Sequence, residues 1–387
     1  RQTLLLGMFM SQLVNPYKYT IYPGFYESCG PEGEKLIEYV EKEWKHQPHV
    51  GELPLDIVAQ TEAHGDKAVA AIDAVASRVT GNQDEFRRLQ NDMHCYRAFA
   101  YAFGWKVKAA QHVLNYKWSK DIKELDAAVP LLEKSLEYYR QLVDLTKDTY
   151  FYANSMQTAQ RRIPIGGDGG NMKHWSELLP KYEQELANLK KNIAMLKAQA
   201  AGTYKMKAED IKPLKDATQQ TGAFQMENIN GEANFKTVKI AKGAKLFNDL
   251  DSVVTDFAPE LAGMNAYVMN SSKQRGASTS LIFTTKKPVQ LLIGYFRDDQ
   301  MKYAKAPKLE TDATANDYGQ AEPQLTSAIR IDGMPQVNIH KYEFAAGKHT
   351  LLLPKGFLLV LGATGDKITA RDAGLSGADK AIDWLFY

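Results

Sequence analysis

The chain reads as a multidomain α+β protein, an antiparallel α-helical bundle followed by an antiparallel β-sandwich. Three observations predict this. Residues 1 to about 200 carry long apolar stripes of helical period. From about residue 205 the period vanishes and the chain turns rich in Thr, Gln and Asn. Short β-type runs then follow, punctuated by Gly and Pro. A length of 387 residues suits two or three domains. The expected divisions are 1–49, a helical and aromatic-rich lead-in; 50–203, the bundle; and 204–387, the sandwich.

The first long stripe is Phe86, Leu89, Met93, Tyr96, Ala100, Phe103, Val107, Ala110 and Leu114. Ile122, Leu125, Val129, Leu132, Leu136, Tyr139 and Val143 repeat it, as do Tyr182, Leu186, Leu189, Ile193 and Leu196. An earlier helix, Leu55 to Val79, is weaker and is interrupted at Gly65. Such stripes lose stability in water and must bury against one another. Met93, Tyr96, Phe103 and Tyr139 are therefore expected in the core. Gly81 suits a left-handed helix end, and Ser119 can cap the following helix. Pro130 predicts a kink, and Pro180 fits the first residue of the last helix. Short connections force neighbouring helices to run antiparallel.

The expected strands are 280–285, 289–296, 326–331, 336–344, 349–353 and 357–363. Many short strands with turn punctuation indicate a sandwich or barrel. Ala346-Gly347-Lys348 and Pro354-Lys355-Gly356 read as hairpin turns. The closing Trp384-Leu385-Phe386-Tyr387 is apolar and is expected to dock on the sandwich.

The net charge of +2 offers no basic face for nucleic acid. No segment approaches the ~20 apolar residues that cross a bilayer. Cys29 and Cys95 allow one disulfide at most. The opening RQTLLLGMFMSQLV has a short apolar core but no small-residue cleavage site, and the chain starts without Met in a stretch expected to be helical. It therefore reads as a fragment or processed chain with a missing upstream part.

Two regions stand out as candidate sites. In YANSMQTAQRRIPIGGDGGNMKHW, Arg161 and Arg162 precede a glycine-rich turn around Asp168 that leads to His174 and Trp175. A phosphate cradle fails here, because no strand precedes the glycines and no Lys-Ser/Thr follows them. An arginine that pairs a sugar carboxylate and a tryptophan that stacks on a ring would make a carbohydrate site. The plainer reading is a helix-to-helix connection. The second region is the polar segment 297–323, in which Tyr303 and Tyr318 could contact sugar. The plainer reading there is a solvated, self-packed loop. The aromatics of Pro16–Tyr26 suit a sugar surface or a segment pinned on the bundle. The acidic residues of 297–323 match no calcium-loop spacing, so no metal is assigned. No zinc-protease, nucleophile-elbow, Walker or C-x-x-C motif is present, so no catalytic residue and no cofactor is assigned.

The phrases NSMQTAQRRIPIGG and HWSELLPKYEQEL resemble the C-terminal helical region of large bacterial carbohydrate-active proteins. PVQLLIGYF, APKLETDATANDYGQAEP and AGKHTLLLPKGFLLVLG are similar to the sandwich domain appended to it. The likeness runs from about residue 50 to 387. It implies an accessory role in a periplasmic, cell-surface or secreted glycoside hydrolase. The expected partners are a polysaccharide or oligosaccharide and an upstream catalytic domain of the same protein. Two alternatives stand beside this. One is a structural or assembly module without glycan binding. The other is an active site in the bundle around Arg161, Arg162, Asp168 and His174.

Overall fold

The computed structural model describes residues 33–150, 174–207, 210, 218–298, 300–308, 312–321, 323–368, 371–375 and 382–386. The chain divides into two compact units. One gathers the helices and takes back the closing segment from Asp383. The other holds the strands up to Ile382.

The helical unit contains α1 (Leu36–Trp44), α2 (Pro54–Val75), α3 (Gln83–Ser119), α4 (Ile122–Thr146) and α5 (Trp175–Ala200). From α2 to α4 neighbouring helices run antiparallel, as cross-links show. Gln90 of α3 reaches Asp73 near the end of α2, while Lys108 reaches Glu62 near its start. Ser135 of α4 donates to the Ala102 carbonyl of α3 at 2.6 Å. α3 is central, contacting α1, α2 and α4. Many of its buried residues are small: Ala98, Ala100, Ala102, Gly104, Ala109 and Ala110 let neighbours approach closely.

That central position corrects the first stripe. From Ala98 to Leu114 α3 is covered on more than one side, and Phe103, Val107, Ala110 and Leu114 are buried as expected. Its first turns have fewer neighbours, so Leu89 is 44% and Tyr96 63% exposed, and Met93 is only partly buried. Gly65 does not interrupt α2, which runs unbroken through it. A Cβ there would lie 3.1 Å from the Arg97 Cα, so the glycine serves close helix approach.

The helix ends differ from expectation by a residue or more. Asn82, not Gly81, takes the left-handed conformation before α3, at φ 48°. Asn tolerates that region better than most residues. Ser119 is the last residue of α3, and Asp121 caps α4 by accepting from the Lys123 N–H at 3.0 Å. Pro130 lies inside α4. Pro180 lies inside α5 rather than at its start. The helix begins earlier because His174 and Glu177 form a reciprocal cap, and the proline spoils only one early backbone bond.

The closing apolar tail corrects a further expectation, since it docks on the bundle rather than the sandwich. Asn192 of α5 donates to the carbonyls of Trp384 and Leu385 at 3.1 and 3.0 Å, and Asn188 donates to that of Phe386 at 3.1 Å. Trp384, Leu385 and Phe386 are buried. Cys95 is a buried free thiol, pushed up to about 11 by burial and the nearby Asp92; Cys29 lies outside the described residues. Among the described residues no helix is long and apolar enough to cross a membrane.

The second unit contains β1 (Phe224–Ile229), β2 (Thr237–Lys239), β3 (Val254–Phe257), β4 (Asn265–Tyr267), α6 (Ser271–Gly276), β5 (Thr279–Thr285), β6 (Val289–Phe296), β7 (Pro323–Ile331), β8 (Val337–Phe344), β9 (Gly347–Leu353), β10 (Leu358–Thr364) and β11 (Arg371–Asp372). The six strands expected from the sequence are all present. They form a three-stranded sheet, β1-β5-β9, and a larger one in the order β10-β6-β8-β7-β11 with β3 also on β7; β2 and β4 pair separately. One core joins the two larger sheets, with the Phe283 ring of one meeting Phe344 of the other edge-on at 4.8 Å. β5 alternates strictly, turning Thr279, Leu281, Phe283 and Thr285 inward. β10 is buried along its whole length.

Two turns are corrected. β8 and β9 lie in different sheets, and so do β9 and β10. Ala346–Lys348 and Pro354–Gly356 are therefore crossings between sheets, not hairpins. Turn residues mark a reversal, but the partner of each strand is a non-local choice. Pairing is antiparallel except for β11, which runs parallel to β7. Arg371 of β11 holds Glu260 through bonds of 2.6 and 2.7 Å, a buried two-pronged ion pair.

Candidate functional site

Of the residues singled out from the sequence, Arg161, Arg162 and Asp168 lie outside the described residues. His174 and Trp175 sit together at the start of α5. The His174 Nδ1 accepts from the Ser176 N–H at 3.1 Å, so Nε2 carries the proton, and it lies 3.3 Å from the Thr146 carbonyl. Trp175 is buried edge-on against Tyr150, and its carbonyl accepts from the Tyr139 hydroxyl at 3.0 Å. This pair locks α5 to the end of α4. Neither ring offers an open face to a sugar.

Tyr303 and Tyr318 belong to the other unit, and both rings turn inward. Tyr303 is buried, 5.0 Å from Phe296 and 5.6 Å from Phe357. Tyr318 packs on Phe344 at 4.9 Å and Tyr342 at 6.2 Å. The segment between β6 and β7 also satisfies itself. Asp312 accepts from the Thr314 N–H, Gln320 from the Tyr318 N–H and Asn316 from the Ala321 N–H. Large rings gain more from burial than from display, and this loop uses them to pin itself to the sandwich core.

Two cavities carry polar groups. The first lies inside the bundle, where Lys106 and Glu185 form a buried ion pair at 2.9 Å and the Lys106 ammonium sits 3.9 Å from the centre of the Tyr182 ring. Burial drives the Lys106 pKa down against the pull of Glu185. The space is about 20 Å³. A cavity needs ~10–15 Å³ to admit one water, so no sugar ring fits.

The second is an open hollow of about 210 Å³ in the sandwich unit, beside α6. Its wall is built by local backbone geometry. Asn230, just past β1, takes a left-handed conformation at φ 53° and accepts from the Ser280 N–H at 2.7 Å. Asn270 caps α6, accepting from the Lys273 N–H at 2.8 Å and donating to the Asn248 side-chain oxygen at 3.0 Å. Gln274, 1% exposed, is clamped to β10 through both the N–H and the carbonyl of Leu358. Lys273 pairs with Glu232 across the rim. Phe235, partly buried edge-on to Tyr267 at 5.3 Å, adds an apolar wall.

Sequence reasoning missed this hollow. The Asn enrichment after residue 205 registered only as a change of texture, and no spacing links Asn230, Asn248 and Asn270. Only the folding of the β1 and α6 ends onto one another makes them neighbours.

Neither a family model nor a curated protein matches the sequence. Among solved structures, the chain is similar to a GH138 enzyme targeting pectin rhamnogalacturonan II. The identity is 59% and the TM-score 0.65; the match covers all of this chain and 43% of that one. The chain thus spans less than half the length of the enzyme that it resembles over its own full length.

Proposed function

We propose that the chain is the accessory, glycan-contacting region of a polysaccharide-degrading glycoside hydrolase that works in the periplasm or at the cell surface. The observation that carries this is the 59% identity over the full chain to an enzyme that targets a pectic polysaccharide. In this reading the polysaccharide is pectic, and the catalytic domain belongs to an upstream part of the enzyme. Glycoside hydrolysis generally uses two carboxyl groups flanking the scissile bond. Among the described residues each of the two cavities is lined by a single one, Glu185 or Glu232. Both units have substantial cores of their own, which suits a region that supports and positions.

Isothermal titration of the chain with rhamnogalacturonan II, paired with a reducing-sugar assay, tests the reading. Saturable binding without release of reducing ends is expected. Release of sugar by this chain alone would place catalysis within it and sink the accessory role. Absence of binding would remove glycan contact.

A further inference from the structure

The geometry points to the hollow beside α6 as a site for one uncharged sugar residue, gripped by side-chain amides rather than by ion pairing. This rests on the reading that the chain contacts glycan, and it specifies which part of the chain does so and which chemistry it selects.

Hydrogen-bonding capacity in the hollow suits a sugar. An amide offers two donors and an acceptor oxygen, and a sugar hydroxyl both gives and takes. Asn230 uses its side-chain oxygen on Ser280 and Asn248 uses its own on Asn270. The amide N–H groups of both remain open to a ligand. Asn234 is exposed on the same rim.

The charge of the hollow favours a neutral ligand. Lys273 is neutralised by Glu232, and among the described residues no arginine lines the hollow. A carboxylate ligand is best met by a two-pronged guanidinium or a desolvated cation. The remaining cation, Lys236, is exposed and solvated. Amides facing adjacent hydroxyls outweigh one hydrated ammonium in selecting the ligand.

The shape and rigidity of the hollow also suit a sugar ring. Phe235 and Met269 give the wall an apolar stretch for the C–H face of a pyranose. The cap at Asn270, the clamp at Gln274 and the left-handed Asn230 hold the polar groups in place before any ligand arrives. Preorganisation of this kind lowers the ordering cost of binding.

Nitrogen-15 NMR of the side-chain amides in the whole chain tests the proposal. The probes are D-galactose, L-rhamnose, L-arabinose and D-xylose, then D-galacturonate, with glycerol as control. At least one neutral sugar should shift the Asn230 and Asn248 amides saturably, while glycerol does not. Asn234→Ala combined with Asn248→Ala should weaken that sugar about 10-fold or more, the loss of about two hydrogen bonds. Lys236→Met should change its affinity by less than about twofold. Unchanged backbone spectra of the variants show that the fold persists. No saturable shift with any neutral sugar overturns the site. A response to galacturonate alone, or lost binding in Lys236→Met, overturns the uncharged ligand. If the Asn variant keeps wild-type affinity for rhamnogalacturonan II, the hollow is not the contact point, although the wider reading survives; if the wild type itself does not bind the polysaccharide, the wider reading falls.

Discussion

At the scale of single residues, the best-defined titrating group is His49, in the connector between α1 and α2. Its two ring nitrogens meet Glu43 at 2.6 Å and Glu34 at 2.8 Å. Hydrogen bonds to Glu43 and then Glu34 raise its pKa above the usual 6.5. Burial alone would push the Glu34 carboxyl up. Bonds from Lys42, His49 and the Val50 N–H outweigh it and hold the pKa below 4.5. The signs follow from linkage. The histidine's contribution is complete below the normal imidazole range and fades as pH rises through its elevated value. The carboxylate's contribution is present above the normal carboxyl range and fades as pH falls through its depressed value. The connector should therefore be best ordered between the two. In an NMR titration His49 should show a midpoint above 6.5, and Glu43→Gln should move it down; a midpoint at or below 6.5 in the wild type would contradict the pairing. His174 illustrates a different limit of reading single residues. Its sequence neighbours suggested a ligand site, but the ring spends Nδ1 on the start of α5 and turns Nε2 to the Thr146 carbonyl at the end of α4.

Among elements, the contact between α2 and α3 is set by glycine. A Cβ on Gly104 would stand 2.3 Å from the Glu62 carboxylate oxygen and 2.9 Å from a methyl of Val58. Glu62 is tied to Lys108 and Val58 is 1% exposed, so neither yields freely. Gly104→Ala should destabilise the helical unit by about 1–3 kcal/mol through overpacking, in spite of the better helix propensity of alanine. Urea unfolding followed by tryptophan fluorescence checks this, and an unchanged or raised midpoint would refute it. Element identity was widely legible in the sequence. β5, β6 and β8 appear within a residue of expectation, because alternation and continuous apolar runs are local signals. Helix ends were less so, since Asn82, Asp121 and His174 compete with neighbours of similar capping ability.

For the whole molecule, the closing segment matters most, because it belongs to the helical unit while its preceding residues belong to the strand unit. Trp384, Leu385 and Phe386 are each buried, worth about 1.5–3 kcal/mol per large side chain by area. Removing residues 383–387 should lower the unfolding free energy of the helical unit by several kcal/mol. It should also speed hydrogen exchange in α5, while β5 and β6 keep their protection. Trp44, Trp105, Trp118 and Trp175 all lie in the helical unit, so fluorescence continues to report on it after the deletion. Equal loss of protection in β5 and α5 would count against this assignment.

The sequence by itself determined the α+β class, the long helices and the six main strands, because each is written in the spacing of nearby apolar residues. Tertiary structure alone decided which strands pair, where the tail docks, which aromatics are buried and where amide side chains gather into a hollow. Those outcomes depend on residues tens to nearly two hundred positions apart, as Asn192 and Leu385 are. Local periodicity specifies which face of an element is buried, but not the partner that buries it.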